Sequence, residues 1–126
     1  MALKHHHLSR RERQIMDIIY TRGEASAFDV QAALPDPPSY SSVRTLLSIL
    51  ERKGFLKHTE RGQRYFYLPT ETREKVRPSA LKRVVETFFD GSLASAVAAL
   101  VDDAGGKLPA EELERLETII RKAKPK

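Results

Sequence analysis

The sequence predicts a mainly α-helical fold with one small β-hairpin. It divides into an N-terminal domain over residues 1–70 and a helical region over residues 71–126. Three observations predict it. Apolar residues recur at helical spacing up to Gly54. Between Phe55 and Leu68 the pattern turns to aromatic and β-branched residues around a glycine, and after Thr70 helical spacing returns. A chain of 126 residues with 40 % apolar and 31 % charged types has a globular composition, enough for one ordinary domain or a small domain with an assembly appendage.

In the first predicted helix, residues 10–22, Ser9-Arg10-Arg11-Glu12 has the form of a capping box, Ile15, Ile18 and Ile19 form the apolar stripe, and Gly23 is the stop. Ser26-Ala27-Phe28-Asp29 repeats the cap before a short second helix, residues 27–34, that carries Val30, Ala33 and Leu34 and ends at Pro35. Pro37-Pro38-Ser39 breaks the chain and caps a third helix, residues 40–53, with Val43, Leu46, Leu47 and Leu50 on one face. Phe55–Thr59 and Arg64–Leu68 read as strands joined by the turn Glu60-Arg61-Gly62-Gln63. Beyond Thr70, Leu81, Val84, Val85 and Phe88 share a helical face that stops at Asp90-Gly91, and Pro78 either kinks that helix or opens its stronger half. Ser92 starts a short alanine-rich helix with Leu93, Val97, Leu100 and Val101. Gly105-Gly106 breaks it, and Pro109 stands in the first turn of a last helix carrying Leu113, Leu116 and Ile120. Leu108 occupies the expected cap position, so that helix is predicted to fray at its start.

Several functions are excluded or disfavoured. The absence of cysteine rules out disulfide scaffolds, thiolate metal sites, zinc fingers and cysteine nucleophiles. The run His5-His6-His7 is assigned no metal, because three adjacent histidines do not converge on one ion. No cofactor and no catalytic residue is expected: His58 is alone in the hairpin and the carboxylates are scattered over solvent-facing helix positions. The longest apolar run, Ala96 to Val101, is far short of the roughly 20 residues that span a bilayer, and no apolar stretch follows the basic start. The expectation is a cytoplasmic protein with no membrane insertion.

The formal charge of +5 and a pI near 9.6 favour an acidic polymer as partner. Residues 1–70 hold 11 Lys and Arg against 7 Asp and Glu, whereas residues 71–126 hold 11 against 10, so the excess lies in the N-terminal domain. Three short helices followed by a hairpin is the order of a winged helix-turn-helix. Opposite the leucine stripe of its third helix stand Ser41, Arg44, Thr45, Ser48 and Arg52, hydrogen-bonding side chains with two cations and no acid, suited to a major groove. Arg44 is long enough to read a guanine edge bidentately. Ser41, Ser42 and Thr45 are short and can bond either bases or phosphates, the free backbone amides near Tyr40 and Ser41 behind the Ser39 cap clamp a phosphate, and Arg61, Gln63 and Arg64 at the hairpin tip reach the neighbouring backbone or minor groove. The partner expected from this surface is double-stranded DNA.

Three amphipathic helices beyond residue 70 bury too little apolar surface to stand alone. Leu81, Val84, Val85, Phe88, Phe89, Leu93, Val97, Leu100, Leu113, Leu116 and Ile120 are therefore read as a dimerisation surface, in preference to an intrachain bundle. Two copies of the third helix then address two half-sites of a pseudo-palindrome.

The segment from Tyr40-Ser41-Ser42-Val43-Arg44-Thr45-Leu46-Leu47 to Leu50-Glu51-Arg52-Lys53-Gly54-Phe55-Leu56 resembles the recognition helix and wing entry of the penicillinase-repressor family. Leu8-Ser9 with Ile15-Met16, Asp29-Val30, Gly62 with Tyr65–Tyr67, and Phe88-Phe89-Asp90-Gly91-Ser92 extend the similarity to residues 8–121. The resemblance implies a homodimeric repressor on an operator with inverted TACA/TGTA-like half-sites. It also implies derepression through a membrane sensor and protease system that cuts the dimerisation helices between Asn and Phe. The corresponding pair here is Ala99-Leu100, a departure from that pattern. The lack of cysteine also separates the chain from copper-responsive relatives with a cysteine-rich tail. Two other readings stay open on sequence: a winged-helix module for protein contacts, and a ligand-gated regulator of the multiple-antibiotic-resistance type.

Overall fold

Serine caps start the first three helices. A computed structural model describes residues 7–125; His5 and His6 of the histidine run lie outside them, and His7 is exposed. In chain order the elements are α1 (Arg10–Arg22), α2 (Ala27–Ala33), α3 (Tyr40–Arg52), β1 (Leu56–Arg61), β2 (Arg64–Pro69), α4 (Arg73–Phe89), α5 (Leu93–Asp103) and α6 (Ala110–Lys122). At Ser9 and Ser26 the capping box is complete: the serine hydroxyl accepts from the backbone N–H three residues on, and the Glu12 or Asp29 carboxylate accepts from the serine N–H. Ser39 caps α3 by accepting from the Ser42 N–H at 3.1 Å.

The apolar stripes of these helices close one core. Ile15, Met16 and Ile19 of α1, Val30 of α2 with Leu34 just beyond it, and Val43, Leu47 and Leu50 of α3 are all buried, joined by Leu56 of β1 and Tyr67 of β2. The hairpin closes the open side of this core. Its antiparallel register runs from Leu56 opposite Pro69 to Arg61 opposite Arg64. The expected four-residue turn is corrected to two residues. Glu60 and Arg61 belong to β1, and only Gly62 and Gln63 connect the strands, at φ of 56° and 68°, the pair of positive values a type I′ turn requires. A further pairing escaped the sequence reading: Ala25, between α1 and α2, exchanges both backbone hydrogen bonds with Tyr67 at 3.0 and 2.8 Å. This gives β2 a partner on each side and completes a winged helix-turn-helix.

The chain divides into two compact units, the first ending at Val76 and the second beginning at Arg77, a boundary inside α4 and just before Pro78. Pro78 does not open a new helix; it lies within α4, which runs on from Arg73 to Phe89. Asp90 and Gly91 end α4 with positive φ, and the Ser92 hydroxyl caps α5 by accepting from the Ser95 N–H at 3.1 Å. Pro109, expected inside the first turn of the last helix, is itself the N-cap of α6, and no side chain caps that end. Glu111 and Glu112 in the first turn and Arg121 and Lys122 in the last complement the helix dipole instead.

From Arg77 onward Ala96 is the only buried residue among those described. Leu81, Val84, Phe88, Leu93, Val97, Leu100, Leu113, Ile119 and Ile120 are exposed, and Val85, Phe89 and Leu116 are half-buried. Each large apolar side chain left in water forgoes about 1.5–3 kcal/mol of burial. No single helix among the described residues is long and apolar enough to cross a membrane; α4 and α5 reach that length and apolarity only when taken together across their break.

Candidate nucleic-acid interface

The start of α3 is held from two sides. Arg11 of α1 donates to the Pro35 carbonyl at 2.6 Å and to the Asp36 carbonyl, and Gln31 of α2 donates to the Pro38 carbonyl at 3.0 Å. These bonds satisfy carbonyls of the proline-rich turn, which has no regular ladder of its own. They also fix where α3 begins.

The two faces of α3 differ sharply. Val43, Leu47 and Leu50 are 0 % exposed, whereas Ser41, Arg44, Thr45, Ser48 and Arg52 all face solvent. Neither the Arg44 nor the Arg52 side chain makes an ion pair or hydrogen bond among the described residues. The one acid of the helix, Glu51, is turned to the hairpin, where its carboxylate lies 2.8 Å from His58 Nδ1. The row thus carries two uncompensated guanidinium groups. Its hydroxyls are partly committed: Ser39 donates to Ser42 Oγ at 2.9 Å, and Thr45 donates to the Ser41 carbonyl at 3.0 Å. Thr45 therefore presents its methyl group and acceptor lone pairs outward rather than a donor.

The hairpin tip separates the three residues expected to act together. Gln63 and Arg64 are exposed, and their side chains make no hydrogen bond or ion pair among the described residues. Arg61 is paired with Glu24, and its guanidinium carbon sits 4.0 Å from the centre of the Phe66 ring. Arg64 is felt at α2: Asp29 is held below the usual carboxylate range, first by its hydrogen bond from the Ser26 N–H and further by the charges of Arg22 and Arg64.

Two anchors lock the hairpin and α3 in place, and neither was read from the sequence. His58, alone in the hairpin by sequence, is bonded to Glu51 and stacked on Tyr65 at 4.1 Å with the rings 13° apart. The available signal was strand alternation, since His58 stands two residues from the buried Leu56 and so on the face turned to α3. Lys53, the C-cap of α3, reaches Glu12 of α1 at 3.0 Å. Tyr67, beneath these groups, has its phenol pushed up by burial and then by the Glu51 charge, with Arg44 acting in the opposite direction. Ala99 and Leu100 lie in the middle of α5, both exposed. Among the described residues no group of three or more His, Cys, Asp or Glu is placed to hold a metal ion.

Three helices closed by a two-stranded wing, with an uncompensated basic row along the third helix, define the class of winged-helix transcriptional regulators. A model of the penicillinase repressor family matches residues 8–122, and the chain belongs to that family. It is 26 % identical over 104 residues to an uncharacterized 16.5 kDa protein in the ptsI 3′ region of Latilactobacillus sakei, an alignment covering 81 % of this chain and 71 % of that protein. Among solved structures it is similar to the transcriptional regulator PA4135, with a TM-score of 0.47, 21 % identity, and coverage of 86 % of this chain and 85 % of the other.

Proposed function

We propose that two copies of this chain, joined through α4, α5 and α6, repress transcription by holding α3 of each copy in successive major grooves of a pseudo-palindromic operator. The observation that carries this reading is the outer row of α3, where Arg44 and Arg52 stand unpaired beside short hydroxyl side chains while Val43, Leu47 and Leu50 anchor the opposite face. Arg44 reads a base edge, most naturally guanine, the free backbone amides near Tyr40 and Ser41 behind the Ser39 cap meet phosphate, and the Ser41 and Ser42 hydroxyls bond either phosphate or a base. Gln63 and Arg64 at the wing tip, with Arg61 once released from Glu24, add contacts to the adjoining backbone.

The exposed apolar side chains of the second unit support pairing with a second copy. Leu81, Val84, Phe88 and Leu93, more than a third exposed in one chain, are covered when two arms meet. Linking two half-site contacts converts the second into an intramolecular event, so operator affinity depends on the arm. Derepression by a protease then needs only to sever it. A cut at Ala99-Leu100 first requires α5 to unwind locally, because both residues are helical and a protease binds an extended chain.

Titration of the protein against duplex DNA at several salt concentrations tests the reading. The expected result is binding that falls steeply with salt, with a log–log slope of about −0.9 per phosphate neutralised, together with preference for one sequence. Weak, salt-independent binding contradicts it.

A further inference from the structure

The most exposed aromatic of the first unit stands beside the start of α3. Phe28, the second residue of α2, is 63 % exposed, although Ala27 before it and Val30 two residues on are buried in the core. Its ring centre lies 6.0 Å from that of Tyr40, the first residue of α3, with the planes 57° apart. Tyr40 is itself 43 % exposed. The pair belongs to no part of the core. Tyr65, the other exposed aromatic of this unit, is accounted for by its stacking on His58.

We propose that Phe28 and Tyr40 together form an apolar reader for the methyl group of one thymine in each half-site, next to the base pair read by Arg44. The inference rests on α3 entering the major groove. Tyr40 and Arg44 are four positions apart, so the two side chains lie on one face of α3, about one turn apart. Four residues rise about 6 Å along the axis, against roughly 3.4 Å per base pair, which puts the thymine one or two base pairs from the base under Arg44. The thymine 5-methyl is the apolar group that base edges present in the major groove, and a phenyl ring gains nothing from a phosphate or a polar edge. Two rings packed at a tilt form an apolar surface with few torsions to freeze on binding. The Phe28–Tyr40 contact also bridges α2 and α3, so the same surface fixes how deeply the helix-turn-helix seats.

The test uses the full chain and a duplex selected by that protein from a random pool, with each thymine replaced in turn by uracil, which lacks only the methyl. The expected result is one thymine per half-site whose replacement weakens binding about fourfold, the value of one methyl group removed from water. It should lie within two base pairs of the position at which Arg44→Ala relaxes preference. Phe28→Ala should bind the thymine and uracil duplexes equally, and Phe28→Leu should retain most of the discrimination. The scan with the unaltered protein needs no variant to fold. Selective binding with no effect of uracil at any position overturns this proposal and leaves the DNA reading standing, whereas failure to recover any selected duplex overturns both. If Phe28→Ala still discriminates thymine from uracil but changes the assembly state in sedimentation, the pair is a protein contact and the proposal is wrong.

Discussion

Lys53 Nζ lies 3.0 Å from the Glu12 carboxylate and joins the C-cap of α3 to the first turn of α1 across 41 residues of sequence. Glu12 is 4 % exposed and also accepts from the Ser9 N–H at 2.7 Å, so one carboxylate completes a helix cap and fixes α3 against α1. Burial pushes its pKa up, but the Ser9 amide, the Lys53 ammonium and the Ser9 hydroxyl outweigh that and hold it below its ordinary value of 4.5.

Replacing this carboxylate should therefore destabilise the winged unit in a pH-dependent way. Glu12→Gln is expected to cost about 1–3 kcal/mol near neutral pH, from a half-lost cap and an unpaired Lys53. Because the folded-state pKa is depressed, the stabilisation is complete above the ordinary carboxylate value and disappears as pH falls through the lower folded value. Urea midpoints measured from pH 7 downward should show the gap between parent and variant narrowing below about pH 4.5. A gap independent of pH contradicts the ion-pair account.

Arg44→Ala should weaken binding at the selected site by about 1–3 kcal/mol and relax preference at a single base pair. Fluorescence anisotropy against a panel of single-substitution duplexes checks this. Equal losses on every sequence would make Arg44 a phosphate contact.

At the wing tip, Arg64 and Arg61 should behave differently. Arg64→Ala is expected to lower the salt slope of DNA binding by about 0.9, as loss of one phosphate contact does. Glu24→Gln should strengthen binding to all sequences by freeing Arg61, which Glu24 holds in the unbound chain. If Glu24→Gln leaves affinity unchanged on every duplex, Arg61 does not reach DNA.

Gly62→Val should destabilise the hairpin although a side chain there meets no atom within 4 Å, because its φ of +56° is costly for a β-branched residue. The expected loss is about 1–2 kcal/mol in the denaturation midpoint, and Gly62→Asn should lose less. Equal stability of the two variants would argue against a type I′ turn.

Much of this fold is legible in the sequence because its signals are local. Ser9, Ser26 and Ser39 are caps three residues ahead of their partners, and Val43, Leu47 and Leu50 announce a buried face by spacing alone. The basic row of α3 follows from the same periodicity. What escaped needs the tertiary fold. Glu12–Lys53 and Arg11 with the Pro35 carbonyl span 41 and 24 residues, and the Ala25–Tyr67 bridge has no composition signal. Phe28 shows why a helical position alone misleads, since only its contact with Tyr40 places it beside the start of α3. The tip turn is two residues shorter than its composition suggests because Gln63 adopts a positive φ that its residue type does not advertise.

Removing residues 77–126 should leave a folded winged unit with far weaker operator binding, because the core of Ile15, Ile19, Leu47 and Leu50 lies wholly before the cut. Circular dichroism and anisotropy together check this. Undiminished affinity of the fragment contradicts coupling through the arm.

Selection of duplexes from a random pool by the full-length chain tests the central claim most directly. If paired copies of α3 lie in successive major grooves, the recovered sequences should converge on an inverted repeat with half-sites about 10 base pairs apart, one turn of the duplex. Recovery of a single unpaired motif, or of no enriched sequence, would contradict it.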